Sequence, residues 1–166
     1  MKRWIFGLCA VAAMAALAGC QGYQNAWLHR EDVQTVYVEM LENTTFRRGH
    51  EFVLTDAICK RIEAQTPYKI VSDRDAADTI LSGTATFGQG VLAGERWEGK
   101  PLEYETSVAA TITWSNLKTG QVLVDRQTVY GAASYSEQTG QTFDYSIQVA
   151  INKAADKVVA LMERPW

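Results

Sequence analysis

The sequence predicts an α+β fold: a two-layer sandwich with two helices packed on one face of a mainly antiparallel, mixed β-sheet, in the order β-α-β-β-β-β-α. Three observations predict it. Two segments, 51–65 and 143–162, place apolar residues on one stripe at helical spacing. Five segments rich in β-branched and aromatic residues are bounded by turn residues. One sheet with both helices on one side buries each stripe and leaves its other face free.

Thr35 to Leu41 reads as the first strand, with Val36, Val38 and Met40 on one face and Tyr37, Glu39 and Leu41 on the other. Glu42-Asn43-Thr44-Thr45 breaks it. From Glu51 to Gln65 the apolar period is helical, with Leu54, Ile58 and Ile62 four apart and Cys59 flanking that stripe. Pro67 ends the helix and Tyr68–Ser72 is the second strand. Asp73 to Asp78 is a charged turn. Thr79–Phe87 forms the third strand, and small residues from Ser82 to Ala85 imply close approach of another backbone or a helix. Gly88 to Glu103, with four glycines, Trp97 and Pro101, is expected to be a long, mobile hairpin connection. Tyr104–Ser115 alternates cleanly: Val108, Ala110, Ile112 and Trp114 face one way, Ser107, Ala109, Thr111 and Thr113 the other. Asn116 to Gly120 is a hairpin turn, and Val122–Tyr135 returns, with faltering parity near Arg126 that suggests a bulge. The final helix, Phe143 to Met162, has Ile147, Ile151, Ala154, Val158 and Leu161 on its stripe, with Thr142 or Asp144 as its cap.

The first twenty residues are a different kind of segment. Lys2 and Arg3 precede an apolar run from Trp4 to Ala18, too short to span a bilayer, and small residues lead to Cys20. Leu17-Ala18-Gly19-Cys20 resembles the lipobox of bacterial lipoproteins, which implies cleavage before Cys20 and acylation of its thiol. An ordinary signal peptide, or a short membrane anchor with Cys20 incidental, is the alternative. The expected organisation is a signal peptide over 1–19, a lipidated tether over 20–32 and a single domain over 33–166. Loss of Lys2 and Arg3 turns 16 basic residues into 14 against 19 acidic ones, a net of −5. A nucleic-acid partner is not expected of so acidic a chain. Cys9 leaves with the signal, so Cys59 would be the remaining free thiol and no intramolecular disulfide forms. Gln21, where Asp favours inner-membrane retention in lipoproteins of this kind, points to the outer membrane.

Catalytic apparatus is scarce. His29 and His50 have no Cys, His or carboxylate at ligand spacing, so no metal and no cofactor are expected. Gly88, Gly90 and Gly94 do not match a dinucleotide loop. Asp73, Asp75 and Asp78 lack the glycine-centred loop and final Glu of a calcium site. The sequence therefore predicts a protein that is not an enzyme. A lipid-anchored hydrolase would require His50 beside a Ser or Cys with a carboxylate behind it.

Val36-Tyr37-Val38-Glu39, Glu42-Asn43-Thr44-Thr45-Phe46-Arg47-Arg48-Gly49, the helix from Glu51 to Ile58, Tyr68-Lys69-Ile70-Val71 and Ala77 to Thr84 together resemble the LptE family of lipopolysaccharide-assembly lipoproteins. The generic part of this pattern is also similar to other envelope lipoproteins and to the amino-terminal domain of the Tol-system propeller protein. Membership of the first family implies a lipid-anchored protein on the periplasmic face of the outer membrane. Its partners would be an LptD-like β-barrel, which it plugs and helps assemble, and lipopolysaccharide. Contact with that anionic ligand needs a local basic patch. The candidates are Arg96 and Lys100 flanking Trp97, the adjacent Arg47 and Arg48, and Lys118 at a turn tip. The alternative is another envelope adaptor, such as a peptidoglycan-synthase activator or a secretion-ring component.

Overall fold

The computed structural model describes residues 29–94 and 101–163. Its elements are β1 (Thr35–Val38), β2 (Glu42–Asn43), α1 (His50–Gln65), β3 (Lys69–Ile70), β4 (Thr79–Gly94), β5 (Pro101–Asn116), β6 (Val122–Tyr135), a 3₁₀ turn (Glu137–Thr139) and α2 (Phe143–Ala160). One six-stranded sheet runs β3-β1-β4-β5-β6, with β2 also pairing with β4. β1 pairs in parallel with β3 and β4, and β2 in parallel with β4, whereas β4, β5 and β6 form an antiparallel meander. The expected α+β two-layer sandwich is what forms, with one extra strand, β2.

Both helix stripes face the sheet as their spacing requires. Leu54, Ile58 and Ile62 of α1 are fully buried, as are Ile147, Ile151, Ala154 and Val158 of α2. They meet Val108, Ala110, Ile112 and Trp114, the inward set of β5. Thr142 caps α2, its Oγ1 accepting from the Tyr145 amide at 3.3 Å. α2 approaches β6 closely because Gly131 has no side chain: a Cβ there would lie 2.1 Å from the Ala150 carbonyl oxygen. Gly83 meets the expectation for the small residues of β4, since its Cβ would sit 2.0 Å from the Thr111 carbonyl oxygen.

Two expectations need correction. Met40 is half exposed and Leu41 is buried, the reverse of simple alternation through the first strand. The registers show why: Val38 pairs with Leu81 and Glu42 with Thr84, so four steps on one strand oppose three on the other. That extra residue is a bulge, and it turns Leu41 into the core. The second correction concerns 88–103. β4 continues to Gly94 and β5 begins at Pro101, with Gly88↔Ser107 and Gly90↔Glu105 in register. Glycine weakens a strand but does not forbid one when a partner strand satisfies its backbone. The bulge suggested near Arg126 is present: that residue has φ 39°, and the β5–β6 register shifts between Ile112 and Trp114.

Candidate functional site

β4 and β5 are long enough to divide the molecule into a base and a tip. At the base, Asp78 Oδ2 accepts the Gln34 and Thr35 amides at 3.0 and 2.9 Å, while Oδ1 pairs with Lys118. The Lys118 hydrogen bond, helped by those amides, holds the Asp78 carboxyl well below the usual carboxylate range against the opposing effect of burial. The Arg30 amide donates to the Tyr68 hydroxyl at 2.8 Å, and Tyr68 packs against Trp114. The chain from the amino terminus enters here.

The tip is built from the turn after β2, the far end of the β4–β5 hairpin and the start of α2. Asn43 organises the turn: its Nδ2 donates to the Arg47 carbonyl at 2.7 Å and to Glu51 Oε2 at 2.8 Å. Its Oδ1 accepts from both the amide and the hydroxyl of Thr45 at 2.8 Å. Gly49, at φ 99°, brings its own amide to Glu51 Oε2 at 2.9 Å. Glu51 is buried, yet its carboxyl is held below the ordinary range, first by its own backbone amide and then by Asn43, Gly49 and nearby Arg48. A turn so tied presents Phe46 fully to solvent.

Arg47 does not project freely. Its guanidinium lies 4.5 Å from the centre of the Phe143 ring and donates to Gln89 Oε1 at 2.8 Å. Gln89 Nε2 in turn donates to the buried Tyr135 hydroxyl at 2.6 Å, and Tyr135 stacks on Tyr104. Burial pushes the Tyr135 phenol up, so it stays protonated. Arg48, two positions after Phe46, is exposed, and its charge acts on Glu51. Val91 and Leu92 on the hairpin are also more than half exposed. Among the described residues, the tip therefore combines apolar side chains with Arg47, held by Phe143 and Gln89, and Arg48, exposed near Glu51.

The candidate basic residues do not gather at one place. Arg47 reaches Gln89 and Lys118 reaches Asp78, eleven positions apart along a nearly continuous strand, or about 36 Å at strand rise. Lys60 pairs with Asp56, and Arg61 of α1 with Asp156 of α2. Arg96, Trp97, Lys100 and Cys20 lie outside the described residues. Asn43, Glu51, Gln89 and Tyr135 were not singled out by sequence. An acidic residue in the first turn of a helix was a visible signal for Glu51; Gln89 and Tyr135 are 46 positions apart and left none.

His50 is packed by its ring against Phe87 and Phe143, at centroid distances of 5.5 and 5.9 Å. Burial raises the Cys59 thiol pKa, so little of it is the reactive thiolate. No group of three metal-ligating side chains occurs among the described residues. The outward face of β4, β5 and β6 is largely small and polar, with Thr111 and Thr128 bonded through their hydroxyls at 2.9 Å.

The fold is of a type seen in envelope lipoproteins. Among solved structures, lipoprotein B from Nitrosomonas europaea is similar with a TM-score of 0.57 at 12% identity, covering 78% of this chain and 81% of that one. A minor lipoprotein from Acinetobacter baumannii gives 0.55 at 14% identity, over 81% and 98%. The PelC dodecamer subunit from Paraburkholderia phytofirmans gives 0.52 at 16% identity, over 83% and 92%. No curated protein matches the chain by sequence. The family model for LptE, lipopolysaccharide-assembly, matches residues 33–162. The chain belongs to the LptE family.

Proposed function

We propose that this protein is an outer-membrane lipoprotein, held on the periplasmic face by acyl chains on Cys20, that plugs and helps assemble an LptD-type β-barrel for lipopolysaccharide transport to the cell surface. In this reading residues 1–19 are a cleaved signal, 20–32 a lipidated tether and 33–166 the working domain. It acts by binding and carries out no catalysis. The observation that carries the reading is the LptE family match across 33–162. The polar outer sheet face supports it, because a barrel lumen is polar and a plug must complement it. Several acyl chains make a stable anchor, each buried methylene contributing about 0.8 kcal/mol.

For ligand contact, Arg47 and Arg48 beside exposed Phe46 are better placed than Lys118, whose charge is committed to Asp78. An anionic, acylated ligand meets both a cation and apolar surface there. Arg96, Trp97 and Lys100 remain candidates on the connection between β4 and β5. Affinity isolation of the mature protein from detergent-solubilised outer membrane should recover a large barrel protein; repeated recovery of none refutes the reading. Cys20→Ala should leave an unprocessed or misplaced precursor of altered mobility, and normal processing would refute the lipidation. A second reading, a ring-forming or enzyme-activating envelope adaptor, draws on the likeness to the PelC subunit. A ring seen by microscopy, or crosslinking to an inner-membrane enzyme, would favour it.

A further inference from the structure

A cavity lies at the base, where the chain enters the domain. His29, Arg30, Glu31 and Val33 of the incoming chain, with Pro67 and Lys69 at the start of β3, wall a space of about 420 Å³. That volume is in the range of small-ligand sites. Backbone bonds fix its walls: the Arg30 amide donates to the Tyr68 hydroxyl at 2.8 Å, and the Lys69 amide to the Gln34 carbonyl at 2.9 Å. The His29 ring meets the Tyr68 ring edge to face, with centroids 5.7 Å apart.

Two features of the wall point to a ligand. His29 is only 8% exposed, and its Nδ1 is enclosed with no hydrogen-bond partner among the described residues. A proton on that nitrogen would find no acceptor, so the ring carries it on Nε2, the nitrogen that is not enclosed. A buried imidazole thus brings one N–H donor to the cavity wall. The second feature is charge. Arg30 and Lys69 are cations and Glu31 is a carboxylate, and none of the three joins an ion pair among the described residues. By contrast, Lys60, Arg61 and Lys118 are each paired with an aspartate. Val33 and Pro67 add apolar wall beside these charges.

We propose that this cavity binds a zwitterionic lipid headgroup, the phosphoethanolamine of a phospholipid, at the face where the tether reaches the domain. The phosphodiester accepts from His29 Nε2 and pairs with Arg30 and Lys69, the ammonium pairs with Glu31, and the carbons between them lie on Val33 and Pro67. Inorganic phosphate would set an anion beside Glu31, and a fatty chain would take three charges out of water with no partner, so neither suits these walls. Cys20 and His29 are nine residues apart, at most about 32 Å of extended chain, so acyl chains on Cys20 would hold the cavity near a lipid surface. The proposal rests on the lipid-anchor reading for that nearness alone. The cavity and its charges stand apart from it and from the barrel partner.

The test follows the ring resonances of His29, one of two histidines in the chain, by NMR of the purified mature protein. Glycerophosphoethanolamine should shift them saturably, with at least ~10-fold higher affinity than inorganic phosphate or glycerol phosphate. Glu31→Gln should abolish that preference, and Lys69→Glu should weaken binding at least ~10-fold. Both side chains are exposed, so both variants should melt with wild type. The acylated chain should show the same shift in vesicles of mixed phosphatidylethanolamine and phosphatidylglycerol, and none in phosphatidylglycerol alone. Absence of any shift with glycerophosphoethanolamine overturns the proposal. Equal affinity for inorganic phosphate, unaltered by Glu31→Gln, overturns it and leaves a simple anion site. A shift with the soluble compound but none in the mixed vesicles overturns the lipid and assigns a soluble phosphoethanolamine compound. Saturable headgroup binding by a chain that proves unacylated in cells supports the site and refutes the anchor instead.

Discussion

Base and tip are made of the same two strands and stabilised by different physics. The base is dense: Trp114, Tyr68 and Val36 are buried there, and Asp78 fastens the incoming chain to the Lys118 turn. At the tip β4 and β5 outrun the helices, and order comes from side-chain hydrogen bonds centred on Asn43, Glu51 and Gln89. Phe46, Val91 and Leu92 there face water. The contrast teaches where stability is concentrated and where surface is left available for recognition.

Breaking the base should have the largest effect. Trp114→Ala empties a fully buried site and is expected to cost about 3–5 kcal/mol by chemical denaturation. Asp78→Ala strands the Gln34 and Thr35 amides and frees Lys118, for about 1–2 kcal/mol. The pH dependence has a defined sign. Asp78 and Glu51 both have folded pKa values below their unfolded ones. Their contribution is therefore fully present above about pH 4–4.5 and is lost as pH falls through the folded values. Asp78→Asn should flatten the acid limb of a stability–pH curve, and an unchanged limb would remove Asp78 from the account.

At the tip the effects should be local, then absent. Glu51→Ala unties the Gly49 and Asn43 donors, so limited proteolysis should cut within 44–49 faster while the global melting temperature falls by only a few degrees. Phe46→Ser should alter stability by no more than about 0.5 kcal/mol, since the ring touches solvent alone. Its effect should appear in partner recovery from membranes, and a stability loss comparable to Trp114→Ala would erase the distinction between the two ends.

What was legible in the sequence was what is local. Leu54, Ile58 and Ile62 mark their stripe by spacing alone, and Val108 to Trp114 mark theirs by alternation, so both helices and the sheet's inner face could be read directly. Leu41 could not, because its burial depends on a bulge set by pairing with residues 42 and 43 positions away. The length of β4 was hidden for a similar reason: Gly88 and Gly90 look like loop until Ser107 and Glu105 are placed opposite them. At the candidate site, the Arg47-Arg48 pair was visible as adjacent charge. The contacts that fix Arg47 were not, since Gln89, Tyr135 and Phe143 come from distant strands and a helix.

The most direct measurement places a photoreactive residue at Phe46 on the tip, and in a second protein at Lys118 on the base, within the intact envelope of the producing cell. The account predicts an adduct from position 46 with a large, heat-modifiable outer-membrane β-barrel, and a weaker one or none from position 118. An adduct from position 46 with an inner-membrane enzyme, or none from that position while 118 captures the barrel, would contradict it.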